Sequence, residues 1–161
     1  MRPLLSVLLL LAASTVCAQS DSGRVWATAI STQAKTERKI IFRYVKEFQP
    51  TFKQATSPDR VIITWRYEAA SGMPETKERE RMDHLEDLLE PVTEQSGLAT
   101  LVLVSTGENL REWTYYTKAE GSFLTALNTA LASEGRFPIE IYTAKDAKWQ
   151  TYEKFRAGVR E

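Results

Sequence analysis

From Arg60 to Glu68 apolar and polar side chains alternate: Val61, Ile63, Trp65 and Tyr67 form one row, and Ile62, Thr64, Arg66 and Glu68 the other. A period of two is that of a strand with one face buried and the other partly wet. The turn Ser71-Gly72-Met73-Pro74 follows, and its proline suits a first helical position. Beyond it the period changes. Met82, Leu85 and Leu89, spaced three and four apart and widened by Leu88, predict a helix to about Glu90. Its first two turns, Glu75 to Arg81, are charged all round and are expected to project into solvent. Pro91 has no N–H to give the helix, which should kink or stop there, and Gly97 closes the segment.

Leu98 to Thr117 reads as a β-hairpin, with an apolar first arm (Leu98 to Val104), a turn at Thr106-Gly107-Glu108-Asn109 and an alternating second arm (Leu110 to Tyr116). The order then repeats. Ser122 is the expected N-cap of a helix striped by Phe123, Leu124, Leu127 and Leu131, and Gly135 stands where a C-terminus favours a left-handed residue. Phe137 to Thr143 is a strand with Phe137, Ile139 and Ile141 on one side and Glu140 and Tyr142 on the other. Asp146 caps a last short helix docked by Trp149, Tyr152 and Phe155, and Arg156 to Glu161 is expected to fray.

Upstream, Val25 to Ser31 and Ile40 to Val45 pair as an N-terminal hairpin, and Phe48 to Asp59, with Pro50 and Pro58, is a loop. From Arg60 onward the elements run strand, helix, strand, strand, helix, strand. That order predicts an α+β, ferredoxin-like (βαββαβ) antiparallel sheet with both helices on one face. An N-terminal β-hairpin precedes it and a short C-terminal helix follows. The hairpin either extends the sheet at an edge or crosses its open side; protection of an exposed ladder favours the edge.

Composition narrows the function classes. The chain has 161 residues, 43% of them apolar, enough for one core. Its 21 basic and 21 acidic residues leave no net field for nucleic acid, which is disfavoured as a partner. Met1 to Ala18 has a positive start, an apolar run and small residues around Val16-Cys17-Ala18, the pattern of a secretory signal peptide cut before Gln19. The run is too short for about 30 Å of hydrocarbon, and Val16 is bulky for a lipoprotein site at Cys17. Residues 1–18 are therefore assigned to the signal, 19–24 to a disordered lead-in and 25–161 to one domain without a transmembrane helix, exported to the periplasm or beyond. Cys17 is the only cysteine and would leave with the signal, removing disulfide and thiolate chemistry.

Several short motifs share an order and spacing. They are Trp26, Gly72-Met73-Pro74 before an acidic helix, Leu85-Glu86-Asp87, Thr106-Gly107, Arg111-Glu112 leading into Tyr115-Tyr116, and Asp146, Trp149 and Tyr152. Together, over about Val25 to Phe155, they resemble the bacterial family catalogued as domain of unknown function 695. The resemblance implies a compact α+β domain with no established activity. It also points to protein binding, since members are sometimes joined to a domain similar to a regulator of ribonuclease E.

Catalytic patterns are sparse. His84 is the only histidine; Glu80 and Asp87 lie one helical turn from it, which is also the ordinary arrangement of a solvated helix face. No Gly-x-Ser-x-Gly elbow, Gly-x-Gly-x-x-Gly loop or P-loop occurs, and no cofactor is implied. The expected function is a non-catalytic module binding an envelope protein or peptide through the open sheet face or an edge strand. Candidate binding residues are Arg66 and Tyr142 with, if their row is open, Arg111, Trp113 and Tyr115. The opposite row, Leu110, Glu112, Thr114 and Tyr116, is the other choice of register. The alternative is a small-ligand binder or hydrolase with a pocket around His84.

Overall fold

A computed structural model describes residues 23–34 and 37–159. The expected signal peptide and most of the expected lead-in lie outside the described residues. The elements are β1 (Val25–Thr32), β2 (Lys39–Glu47), β3 (Asp59–Arg66), α1 (Thr76–Glu90), β4 (Ala99–Gly107), β5 (Leu110–Thr117), α2 (Glu120–Leu131), β6 (Ile139–Lys145) and α3 (Gln150–Gly158). The strands form a six-stranded antiparallel sheet in the order β1-β2-β4-β5-β3-β6. The chain is thus a mixed α+β protein whose N-terminal hairpin extends the sheet beside β4.

The alternation read along β3 decides the layers. Val61, Ile63 and Trp65 lie fully buried beneath Met82, Leu85 and Leu89 of α1 and Phe123 and Leu127 of α2. Across the ladder, Ile63 faces Trp113 on one side and Ile141 on the other. The second face carries a smaller core, in which Val102 and Tyr116 pack with Trp149 and Tyr152 against Phe48, Phe52 and Leu103. This second layer explains why β4 is a continuous apolar run rather than an alternating one. Its pairing slips between Leu101 and Leu103, a bulge that turns Leu101 under the helices while Val102 and Leu103 join the second core.

The hairpin between β4 and β5 closes through Glu108 and Asn109, both at positive φ (51° and 62°), the two-residue connection whose twist suits paired strands. Gly107 is required by proximity: a Cβ there would stand 2.3 Å from the Lys39 carbonyl oxygen. Asn109 ties the turn to the loop before α1, donating its N–H to the Gly72 carbonyl at 3.0 Å and accepting from the Ala69 N–H at 3.1 Å.

Local expectations fail where distant residues intervene. α2 begins at Glu120 rather than at a Ser122 cap, because the Asp59 carboxylate of β3 accepts the Glu120 N–H at 3.2 Å. It ends at Leu131, so Gly135 is not its left-handed terminus. α1 starts at Thr76, two residues past Pro74, and beyond Glu90 it continues through Pro91 as a π-helical turn to Gln95. The charged first turns of α1 do not simply face solvent: Glu78 accepts the Trp65 indole N–H at 2.6 Å, and Arg81 lies over that ring at 5.0 Å. Arg24, expected in a disordered lead-in, is anchored on Glu94 with its side chain 9% exposed. Arg156 is held rather than frayed, donating to the carbonyls of Lys46 at 2.7 Å and Val45 at 3.2 Å.

Candidate functional site

Register separates the five expected binding residues. Arg66 and Tyr142 lie on the second face with Thr64 and Glu140, where Tyr142 is half exposed and donates its hydroxyl to Glu140 at 2.5 Å. Arg111, Trp113 and Tyr115 oppose Trp65, Ile63 and Val61, so they share the helix-covered row and are buried. An aromatic and arginine surface built from all five is therefore corrected: parity on β5 follows the core row of β3, and Leu110, Glu112, Thr114 and Tyr116 take the second face.

Arg111 is compatible with burial because α1 brings it carboxylates. Its guanidinium donates to Asp83 at 2.7 Å and Glu86 at 3.2 Å, and lies 4.9 Å over the Trp113 ring. Glu86 also accepts the Trp113 indole N–H at 2.9 Å and a hydrogen bond from Arg43. A buried cation held by two carboxylates of α1, of which Glu86 is itself fixed by Trp113 and Arg43, is a clamp between helix and sheet.

α3 covers the β2 and β4 half of the second face. Trp149 stacks on Tyr116 at 4.0 Å and donates its indole N–H to the Ser57 carbonyl at 2.9 Å. Tyr152 donates to the Val45 carbonyl, and Phe155 packs on Phe42 at 5.1 Å and Tyr44 at 5.3 Å. Asp146 fixes the start of this helix. It accepts the Gln150 N–H at 2.7 Å, the Thr151 N–H at 3.0 Å and the Tyr116 hydroxyl at 2.7 Å.

Burial alone would raise the Asp146 carboxyl, but the bonds from Thr151, Tyr116 and Gln150 outweigh it and hold the group below its ordinary 3.8. A depressed carboxyl contributes stability above its unfolded value and loses it as pH falls through the folded value. Asp146→Asn is therefore expected to lower stability at neutral pH, and its deficit should shrink on acidification from about pH 6 to about pH 2. Denaturant titrations across that range test this; a deficit unchanged with pH would show that the charge contributes nothing.

What α3 leaves open is a groove of about 890 Å³ between its C-terminal half and β1. Ala27 and Ala29 of β1 with Phe42 and Tyr44 of β2 line one side, and Lys154 and Phe155 of α3 the other. The small alanines create the space. β1 is also an edge of the sheet, and Val25 and Ile30 on it are 48% and 61% exposed. The sequence carried one signal of this: VWATAIST contains neither charge nor proline.

His84 stands on the outer side of α1, its side chain 51% exposed and 3.2 Å from Glu134. It does not line this groove. Among the described residues no three His, Cys, Asp or Glu side chains gather in a way that would hold a metal ion, and no helix is long and apolar enough to cross a membrane.

Comparison with known families places residues 26–156 within a family of unknown function, DUF695. The chain belongs to the DUF695 family. No curated protein matches it. Several residues of the motifs that carried the DUF695 resemblance sit, with their neighbours, in three structural knots. Gly72, Gly107 and Asn109 tie the hairpin tip to the loop before α1. Trp26, beneath the Arg43 guanidinium at 5.0 Å, adjoins the Glu86 and Arg111 clamp. Tyr116, Asp146, Trp149 and Tyr152 fasten α3. Each knot positions elements of the fold.

Proposed function

We propose that this DUF695 chain is an exported, non-catalytic interaction module that takes up an extended peptide or protein strand alongside β1. The observation that carries the reading is the difference between the two sheet edges. β6 ends the sheet with Glu140 and Lys145 in a seven-residue strand preceded by Pro138, the devices that discourage strand addition. β1 is eight residues long and carries neither charge nor proline, its one irregularity lying at its start between Val25 and Trp26. Its ladder groups are a template for main-chain pairing, and the adjoining groove offers room for alternate side chains of the added strand. Export rests on the leader from Met1 to Ala18.

We read β3 to β6 with α1 and α2 as a ferredoxin-like unit to which the β1–β2 hairpin has been added. In support, with that hairpin set aside, the remaining order β4-β5-β3-β6 suits a split βαβ repeat, and both helices pack into one core.

The test is fluorescence anisotropy with labelled eight-residue peptides of alternating Thr and Val, alongside amide shifts of β1. Saturable binding is expected, weakened at least about tenfold by Ile30→Lys, whose exposed position keeps its effect on stability within about 0.5 kcal/mol. No binding, or equal binding by the variant, would sink the edge-strand reading.

A further inference from the structure

A second cavity, of about 400 Å³, lies between the β2–β3 connection and the start of β4, and it shares no lining residue with the groove along β1. Its lining includes an ion pair, Arg24 with Glu94, whose side chains are only 9% and 17% exposed. Glu94 is fully engaged. One oxygen accepts from Arg24 at 2.7 Å and from the Leu101 N–H at 2.6 Å, and the other accepts from the second Arg24 nitrogen. The carboxylate is thereby neutralised within the protein.

Two more cations line the cleft, Lys53 from the connection and Lys118 from the end of β5. Neither has an ion-pair partner among the described residues. Among the described lining residues, three cations, Arg24, Lys53 and Lys118, stand against the single carboxylate of Glu94, an excess of two positive charges. Gly97 matters to their placement: at φ +69° it suits a residue without a side chain, and the Lys118 ammonium lies 3.9 Å from where its Cβ would be. One wall is apolar and braced, since Phe52 stacks on Phe48 at 4.6 Å. Thr51 and Thr100 add hydroxyls.

We infer that this cleft binds a small organic anion carrying two negative charges, a dicarboxylate or a phosphate monoester. Its volume suits a small molecule, its excess charge matches two anionic groups, and Phe52 covers an apolar body between or beside them. An exposed charged site of this kind is sensitive to salt, so affinity should fall as ionic strength rises.

The test titrates the purified protein with succinate and, separately, with phenyl phosphate, following amide shifts and heat at low ionic strength. Saturable binding of at least one probe is expected. Lys118→Glu and Lys53→Glu should each weaken it more than about tenfold, with the unfolding midpoint unchanged, whereas Lys154→Glu in the other groove should leave it intact. Binding of succinate alone assigns the site to dicarboxylates, and of phenyl phosphate alone to phosphate esters. If neither probe saturates, or both reversals leave affinity unchanged, the inference is overturned.

Discussion

Trp65→Ala is expected to lower unfolding stability by about 3–5 kcal/mol, the range for emptying a fully packed aromatic site. Trp65 is completely buried beneath α1 and meets Phe137 edge-on at 5.7 Å. Its removal would leave a cavity on the principal core, take the indole donor from Glu78 and strip Arg81 of the ring it covers. The loss should therefore exceed that of Trp65→Phe, which keeps a six-membered ring in the site and loses the indole hydrogen bond and part of the packing. Denaturant unfolding measures both. A loss below about 1 kcal/mol for the alanine variant would mean that the β3 row is not core.

The second large effect is expected at Trp149. Its ring is fully buried, stacks on Tyr116 and closes over Phe48 and Phe52, so Trp149→Ala should also lose about 3–5 kcal/mol. The backbone makes a further distinction. Trp149 sits in the left-handed region at φ 54°, which alanine adopts with strain and glycine without it. Trp149→Gly should therefore lose less than Trp149→Ala, by up to about 1 kcal/mol, although glycine is the smaller residue. The usual ranking, alanine more stable than glycine, would show that the left-handed geometry is not maintained in solution.

The two variants also probe the candidate surfaces differently. Trp65 supports the layer beneath α1 and α2, remote from β1 by strand order. Trp149 begins the helix whose far end walls the groove, so loosening it should weaken strand uptake at β1 as well as stability. Limited proteolysis within Gln150–Gly158 would report the release of that helix before global unfolding.

Much of this architecture was legible because it is written in local periodicity. The two-residue alternation of Val61, Ile63 and Trp65 and the helical stripe of Met82, Leu85 and Leu89 each declare a buried face, and both are buried. Asp146 could be named as a cap because its partners, Gln150 and Thr151, lie within five residues. The hairpin turn followed from Gly107 and Asn109, whereas the positive φ of Glu108 was not legible.

The candidate site was less legible, since it depends on which strands become neighbours. The alternation on β5 offers two aromatic rows, and only pairing with β3 decides that Trp113 and Tyr115 go under the helices while Tyr116 meets α3. That Asp59 rather than Ser122 caps α2 is likewise a contact across 61 positions of chain. The position of β1 at the edge of the described sheet and the cleft at Arg24 arise from the same cause. The sequence by itself determined the elements, their buried faces and the alternation of strand and helix, because those follow from near-neighbour geometry. Only the tertiary structure decided the strand order, the row of β5 that is covered and the side chains that line each cavity, because these depend on packing between segments far apart in the chain.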